Sequence, residues 1–454
     1  MLPNNLQKYL EQRHAAYVIE PRIALKTASS GADAQPWARA VAMEDERGVV
    51  IAVVPSERLL DVNAVQRTLG RTLYPLADAR AQALFADCEE AEWPPFAQAY
   101  GLQSIVDVSL YSQLAVRFSP GRGRLRLRML VQEFQRILGD VRLGRFSVPM
   151  RAPEADGGRP IPVAGPEPSF AQRIDDAIRD CKGLPALPEC ATKLFELMGD
   201  ADAGPHELAE IVELDGAMAA GILRCANSAF YGYRGRIGDV RQAIVRVLGF
   251  DMALGLAVGM SIGRGFRLPI EGVLGLTAYR RNAVYCAVLA QRLAERLPDA
   301  CGVRPGTAYA AGLLHDFGRL FMGHVFPHEY ALLECHRLAN THAPMPDIER
   351  RLLGVSHEEA GADLLQRWGL PDALVCAVRH HHDPGYRGEH AACAQLVMIT
   401  TRALARYGLG ANETDVLPAD VLGDLGLTEA VVRDAAATLW QDRADVEVLT
   451  QLVG

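Results

Sequence analysis

Residues 313–320 read LLHDFGRL, in which the adjacent His315 and Asp316 follow an apolar helical stretch and precede a glycine. An imidazole beside a carboxylate can bind a divalent metal, and the bound metal can acidify a water molecule for attack on a phosphate. The same dipeptide also occurs as a surface or helix-capping pair. Whether it marks a metal site therefore depends on the other ligands that the chain supplies.

Further histidines follow the HD pair. His357 lies in the segment SHEEAGADLLQRWGLP, and the run RHHHDPG contains three histidines at 380–382. The candidate metal ligands are therefore His315, Asp316, His357, His381 and His382. They are numerous enough for a metal site if they converge. The alternative is a buried network in which the same groups satisfy one another by hydrogen bonds without a metal.

Residues 184–250 contain LPALPECATKLFELM, ELAEIVELDGAMAAGILRCANSAFYG and DVRQAIVRVLGF, whose apolar residues recur at helical spacing. With the HD pair and the histidine cluster, these motifs resemble the HDOD domain (HD-related output domain) of bacterial signalling proteins over residues 170–405. The resemblance implies an all-helical output or scaffold module. Within it, Asn227 and Ser228 are expected to cap or link helix ends, with Phe230 and Tyr231 packed between two lobes. The alternative for this segment is a recognition surface.

Catalytic HD phosphohydrolases, to which this domain is related, add an upstream metal histidine and a downstream aspartate. Here Arg281 and Asn282 stand at the upstream place, where a guanidinium would repel a cation. Thr400 or Thr401 stands where the aspartate would fall. We therefore expect no hydrolysis and no required cofactor. A divalent metal at the HD cluster is the alternative.

A segment rich in proline and glycine divides the chain at residues 147–168. Such a composition sustains neither a helix nor a central strand. The sequence therefore predicts a mixed α/β domain at 1–146, a linker at 147–168, and an all-α multi-helix domain with a helical extension at 169–454. The predicted fold class is α+β overall.

In the N-terminal part, the run VVIAVV at 49–54 is β-branched and closed by Pro55, which is typical of a buried strand. In residues 122–128 arginines alternate with other residues, and a period of two places them on one strand face. These arginines are Arg122, Arg124, Arg126 and Arg128. The row could bind a phosphate backbone or remain a solvated strand face.

The segment ARAVAMEDERGVVIAVVPSERLLDVNAVQRTLG at 38–70 and the closing LAVRFSPGRGRLRLRMLVQEFQRI at 114–137 resemble the YbaK-like editing domain, which hydrolyses mischarged aminoacyl-tRNA. The lysine that marks this family falls at Arg39 or Ala40, and a planar guanidinium does not reproduce the geometry of an ammonium group. The resemblance thus implies a degenerate domain. Arg39 and the arginine row form the candidate site for nucleic acid or phosphate.

The chain has 454 residues, 49% of them hydrophobic and 22% charged, which excludes a wholly disordered protein. With 47 basic and 55 acidic side chains the formal charge is -8, so any contact with nucleic acid must be local. The start of the chain has no apolar signal segment, and the apolar stretch at 252–262 is too short to span a bilayer. We expect a cytoplasmic protein without membrane insertion.

Three hypotheses follow. The first is a non-catalytic bacterial signal-transduction or regulatory protein, in which a degenerate YbaK-like domain senses or binds and the HDOD domain is the output module. The second is a metal-dependent phosphohydrolase of nucleotides or cyclic dinucleotides that uses His315 and Asp316. The third is an aminoacyl-tRNA deacylase. The expected partners are other signalling proteins or a small-molecule or nucleotide ligand, and tRNA under the third hypothesis.

Overall fold

The structure is a computed structural model that describes residues 2–21, 37–76, 78–89, 92–122, 125–150, 169–180, 184, 188–200, 202–228, 231–263, 265–268 and 271–451. The chain forms two compact units. Unit 1 comprises Met1–Pro160 and Leu332–Ala343, and unit 2 comprises Ile161–Ala331 and Pro344–Gly454. Unit 1 is built on a mixed sheet and the described part of unit 2 is helical, so the predicted α+β fold class is confirmed.

The centre of unit 1 is a mixed sheet of eight strands with the order β1-β8-β7-β2-β3-β6-β9, in which β5 pairs with β2. A second sheet pairs β4 with β10. The strands are β1 Val18–Pro21, β2 Trp37–Asp45, β3 Gly48–Pro55, β4 Arg58–Leu60, β5 Tyr74–Pro75, β6 Gln103–Asp107, β7 Ala115–Phe118, β8 Leu125–Leu130, β9 Arg142–Gly144 and β10 Ser147–Pro149. The helices before the linker are α1 Asn4–Gln12, α2 Val62–Leu69, α3 Asp78–Leu84 and α4 Val131–Leu138.

The predicted buried strand is β3. It runs antiparallel to β2 and parallel to β6, and its residues from Val50 to Val54 are almost fully buried. Alternate residues of β3 enter two apolar clusters, one containing Ile51 and the other Ala52. Both faces of this strand are therefore covered, which is why its sequence is continuously apolar rather than alternating.

Two features of unit 1 differ from the division expected from the sequence. Ser147–Pro149 pairs with Arg58–Leu60, so regular structure continues into the first residues of the expected linker. Residues 151–168 of that linker lie outside the described residues. Leu332–Ala343, which the sequence places within the helical domain, belongs to unit 1.

Asn340 fixes the segment Leu332–Ala343 within unit 1. Its Nδ2 donates to the carbonyl oxygen of Leu60 at 3.1 Å, and its Oδ1 accepts from the backbone N–H of Leu60 at 2.7 Å. The guanidinium of Arg39 donates to the carbonyl oxygen of Ala339 at 2.7 Å and to Asn340 Oδ1 at 3.1 Å. A pairing between residues so far apart in the chain leaves no local pattern in the sequence.

Unit 2 is a multi-helix fold, in which residues 252–262 of one helix are all buried. Its helices are α5 Phe170–Asp180, α6 Glu189–Gly199, α7 Pro205–Glu213, α8 Gly216–Ala226, α9 Val240–Ala243, α10 Phe250–Gly263, α11 Leu276–Ala294, α12 Pro305–Leu314, α13 Phe317–Val325, α14 Pro327–Ala339, α15 Met345–Leu353, α16 His357–Arg367, α17 Asp372–His380, α18 Ala391–Ala405, α19 Ala419–Asp424, α20 Glu429–Gln441 and α21 Arg443–Thr450. The last part of α14 lies in unit 1.

Small residues let α10, α11 and α12 approach closely. A Cβ atom at Gly312 of α12 would lie 2.8 Å from the backbone of Ala287 in α11. A Cβ atom at Gly259 of α10 would likewise lie 2.2 Å from Leu313. This packing fixes the C-terminal end of α12, which carries the HD pair. Of the helices that the structure describes, none is both long and apolar enough to cross a bilayer.

We predict that Asn340→Ala destabilises the protein by about 1–3 kcal/mol, because Asn340 is 1% exposed and its loss strands the backbone groups of Leu60. Urea unfolding monitored by circular dichroism measures this change. Asn63→Ala, at an exposed position of the same unit, is the control and should alter the free energy of unfolding by less than about 0.5 kcal/mol. Equal effects in the two variants would contradict the assigned role of Asn340.

Candidate metal centre

The HD pair lies where α12 meets α13. His315 follows the last residue of α12, and Asp316 precedes the first residue of α13. Both are buried, with exposures of 1% and 3%. The lack of a side chain at Gly318 lets α13 approach α16 closely, because a Cβ atom at Gly318 would lie 1.9 Å from the carbonyl oxygen of His357. The close approach of α13 and α16 thus brings Asp316 and His357 together.

The five candidate ligands from the sequence form one cluster, in which all but the half-buried His382 are buried. Asp316 Oδ2 lies 3.3 Å from His315 Nε2, and Asp316 Oδ1 lies 3.4 Å from His357 Nε2. His357 Nε2 lies 3.4 Å from His381 Nε2. One ring nitrogen each from His357, His381 and His382 lies within 4.8 Å of the other two. Residues from α12, α13, α16 and α17 therefore converge at one point.

The Nδ1 atoms of three imidazoles lie within hydrogen-bond distance of oxygen atoms. His315 Nδ1 lies 2.7 Å from the carbonyl oxygen of Gly312, and His381 Nδ1 lies 2.8 Å from the carbonyl oxygen of Val378. Since a carbonyl only accepts, each Nδ1 carries the proton. His357 Nδ1 lies 2.6 Å from a carboxylate oxygen of Glu349. Such contacts orient imidazoles in metal sites and leave Nε2 to face the metal.

Asp316 is charged in this setting. Burial alone would raise its pKa, but Arg319 and His315 hold the pKa well below its usual value. Arg319 donates to Asp316 Oδ2 at 2.9 Å. Burial likewise acts to lower the pKa of His315, yet the Asp316 carboxylate raises that pKa well above its usual value. The pair therefore favours a carboxylate beside a positive group.

The other three imidazoles differ in the direction in which their pKa values are shifted. Burial lowers the pKa of His357 and of His381 well below the usual value, which keeps both rings neutral and able to bind a metal. Burial also acts to lower the pKa of His382, but Glu413, whose Oε1 lies 3.0 Å from its Nδ1, raises that pKa. A metal at His382 Nε2 would have to displace a proton at low pH.

Four residues of the site carry roles that the sequence did not assign to them. Arg319 lies one helical turn after Asp316, and Glu349 lies eight residues before His357 and also accepts from its backbone N–H at 2.8 Å. Burial raises the pKa of Glu349 to about 7. Glu413 lies in the loop after α18, where no spacing rule relates it to the histidines. Asn282 was expected only to replace a ligand.

Asn282 and the threonines of α18 occupy the two places where hydrolases carry further ligands. Asn282 Nδ2 donates to Asp316 Oδ2 at 2.8 Å and lies 3.1 Å from His315 Nε2. The hydroxyl of Thr400 donates to the carbonyl oxygen of Leu396 at 2.7 Å in its own helix, and that of Thr401 donates to Met398 at 3.0 Å. The guanidinium of Arg281 pairs with Glu447.

Several buried polar atoms of the cluster lack a hydrogen-bond partner among the described residues. They are Asp316 Oδ1, His382 Nε2, Asn282 Oδ1, Glu413 Oε2, Arg319 Nε and Glu349 Oε1. A closed hydrogen-bond network would leave few such atoms. Because Asp316 Oδ1 lies 3.4 Å from His357 Nε2, and ring nitrogens of His357, His381 and His382 lie within 4.8 Å of one another, the donor set fits a divalent metal with nitrogen and oxygen ligands.

The candidate phosphate site in unit 1 is neutralised by carboxylates. Arg122 pairs with Glu89, Arg126 with Glu92, and Arg128 with Glu20, at 2.6, 2.6 and 2.8 Å. Arg124 lies outside the described residues. Arg126 is buried over the ring of Trp37 rather than exposed on a common face with its neighbours.

Arg39 is half-buried. It donates to Ala339 and Asn340 within unit 1, and burial lowers its pKa to about 9. These contacts give Arg39 a structural role that needs no phosphate.

Comparison with known proteins places the cluster in its family. Residues 184–384, which include the HD pair and all three histidines of the site, match the family model described as the HDOD domain. The chain contains an HDOD domain. The residues matched leave out the whole sheet of unit 1.

Individual proteins are similar to larger parts of the chain. A solved structure from Marinobacter aquaeolei VT8, whose description gives signal transduction as its suggested role, is 26% identical, covers both chains completely and has a TM-score of 0.84. An HDOD domain protein of unknown function from Geobacter sulfurreducens is 22% identical over 62% of this chain and 98% of its own, with a TM-score of 0.49. An uncharacterized protein of Treponema pallidum is 27% identical over 60% of this chain, and the match spans 50% of that protein.

We predict that Gly318→Ala destabilises the HDOD domain by at least about 1–3 kcal/mol, because the new methyl group would collide with the backbone of His357. Thermal unfolding monitored by circular dichroism tests this. Gly423→Ala in α19, where a Cβ atom meets nothing within 4 Å, is the matched control and should be neutral or slightly stabilising. A Gly318→Ala protein as stable as the control would show that the contact between α13 and α16 is looser than described.

Proposed function

We propose that this protein is a signalling module that acts by binding rather than by hydrolysis, with the HDOD domain as output and unit 1 as a sensor or binding domain. The observation that carries the proposal is the position of Asn282. Its amide N–H group occupies Asp316 Oδ2, an atom that a hydrolytic metal pair would need. The complete match to a structure described in terms of signal transduction supports the same proposal.

We also propose that the HD cluster holds one divalent metal. The residues that would hold it are Asp316, through Oδ1, with His357, His381 and His382. His315 lies beside them, with its Nε2 next to Asn282. A bound ion would supply a positive charge between the helices that position these residues, and it would be coordinated by their oxygen and nitrogen lone pairs. The role in this proposal is structural or sensory.

If a metal is bound, removing it with a chelator should lower the melting temperature of the purified protein, and adding Zn²⁺, Mn²⁺, Fe²⁺ or Ni²⁺ should restore it. At a metal concentration one hundred times the dissociation constant, linkage predicts about 2.7 kcal/mol of stabilisation. His357→Ala should abolish the response to chelator, whereas His206→Ala, at an exposed position, should retain it. A melting temperature that no chelator changes would leave the hydrogen-bond network as the correct description.

A metal-dependent phosphohydrolase is the second candidate, favoured by one observation. A cavity of about 320 Å³ borders the cluster at Asn282, Asp316 and Arg319, and such a volume can hold a small ligand. On the primary proposal we predict no turnover of cyclic dinucleotides, guanosine tetraphosphate or nucleoside monophosphates with Mg²⁺, Mn²⁺, Fe²⁺ or Ni²⁺. Phosphate release that is lost in Asp316→Ala and retained in His206→Ala would establish the hydrolase instead.

For unit 1 we propose a degenerate YbaK-like domain without deacylase activity. Support comes from Arg39, which is committed to contacts with Ala339 and Asn340, and from the arginine row, whose described members are paired with carboxylates. Neither group is placed to polarise an ester.

We therefore predict no hydrolysis of mischarged alanyl-, cysteinyl- or prolyl-tRNA beyond the spontaneous rate. Release of the labelled amino acid measures this. Because Arg39→Ala would also remove structural contacts, Arg39→Lys is the more informative variant. Robust turnover by the wild-type protein that changes in Arg39→Lys, while the melting temperature stays the same, would restore the deacylase hypothesis.

A further inference from the structure

A strongly basic stretch of unit 2, residues 224–246, presents a surface of exposed arginines other than those singled out in the sequence. Its five exposed arginines are Arg224, Arg234, Arg236, Arg241 and Arg246. The stretch 224–246 contains a single acidic residue, Asp239, so its formal charge is +4 in a protein whose net charge is -8. The carboxylate of Asp239 is already used, since it accepts from the backbone N–H of Gln242 at the start of α9.

The guanidiniums of this surface are unpaired. Within the part of the chain that the structure describes, none of the five forms an ion pair or a hydrogen bond. In unit 1 the opposite holds, because Arg122, Arg126 and Arg128 each pair with a glutamate. The protein therefore neutralises one set of arginines internally and leaves the other available to an external anion.

Asn227 fixes the loop in which Tyr233, Arg234 and Arg236 lie. Its Nδ2 donates to the carbonyl oxygens of Leu223 and Ile237 at 2.8 and 2.9 Å, and its Oδ1 accepts from the backbone N–H of Ile237 at 2.9 Å. Ile237 itself is buried. These bonds hold the end of α8, near Arg224, against the loop that leads into α9. A loop fixed in this way loses less entropy when a ligand binds.

The loop also presents an aromatic ring between glycines. Tyr233 is 37% exposed and adjoins Arg234 in the sequence YGYRGR at 231–236. Gly232 and Gly235 have φ angles of 59° and 138°, which favour glycine, and the lack of side chains there leaves the ring uncovered. Exposed rings interspersed with arginines are the chemistry on which unpaired bases stack while guanidiniums bind phosphates.

We infer that this surface, formed by Tyr233 and the five arginines, binds single-stranded nucleic acid through its phosphate backbone. An acidic protein segment would satisfy the arginines but would not require the open ring. Because the whole protein is acidic, attraction must come from this surface alone, and binding should depend strongly on salt. The inference is independent of the metal site and of the question of hydrolysis.

Fluorescence anisotropy of labelled oligouridine and oligothymidine with the full-length protein tests the inference. The logarithm of the association constant should fall linearly with the logarithm of salt concentration, with a slope of roughly -0.7 for each phosphate contacted. Tyr233→Ala should weaken binding by roughly fivefold or more and leave the slope unchanged, and Tyr233→Phe should restore affinity. Duplexes of the same sequence should bind more weakly.

The charge-reversal triple Arg234→Glu, Arg236→Glu and Arg241→Glu should lose at least about tenfold in affinity at low salt. The matched control is Arg304→Glu, Arg351→Glu and Arg406→Glu, three exposed and unpaired arginines of the described part of unit 2, which changes the net charge equally. Melting temperatures identify any variant that fails to fold. If the charge-reversal triple variant does not fold, Tyr233→Ala and the control triple still test the inference.

Three results would overturn the inference. The first is no binding at low salt. The second is equal loss in the two triple variants, which would indicate general charge repulsion. The third is that a polyglutamate peptide binds as tightly as the oligonucleotide and that the charge-reversal triple variant loses this binding. That result would assign the surface to an acidic protein.

Discussion

The buried carboxylate of Asp316 is the constraint on which the helical unit depends. A charge that is 3% exposed must be met by donors or opposite charges, or the fold loses several kcal/mol. Three helices provide them, with Asn282 from α11, Arg319 from α13 and His357 from α16. One ionisable group therefore links these three helices, and Gly318 makes the close approach of α13 and α16 sterically allowed.

The sequence was sufficient to predict which residues meet in the cluster and insufficient to predict the residues that surround it. His315, Asp316 and the later histidines could be found because metal-binding side chains are rare in an apolar helical background and occur here in an ordered series. Glu349 and Glu413 could not be found, since a carboxylate gains this role only from tertiary contact. The buried strand β3 was predictable from its continuous β-branched run and the amphipathic helices from hydrophobic periodicity, both of which are local properties of the sequence.

The arginines show even more clearly that the sequence does not reveal tertiary contacts. The alternation at 122–128 predicts a charged strand face, but the sequence does not reveal that Glu20, Glu89 and Glu92 lie opposite. A guanidinium paired with a carboxylate contributes little to binding an external phosphate. Arg39 looked like a substituted catalytic lysine, whereas its partners lie about three hundred residues later in the chain. Whether an arginine is available is thus a property of the fold.

Asn282 separates two properties of an HD cluster that are usually considered together. Its amide lies beside His315 Nε2 and donates to Asp316 Oδ2, which occupies a carboxylate lone pair on one side of the cluster. His357, His381 and His382 are untouched by it and still converge. A neutral amide is compatible with a nearby cation, unlike the guanidinium of Arg281, which pairs with Glu447 instead. Under the proposed function, the cluster would therefore lack ligands for hydrolysis and keep those that would hold a metal.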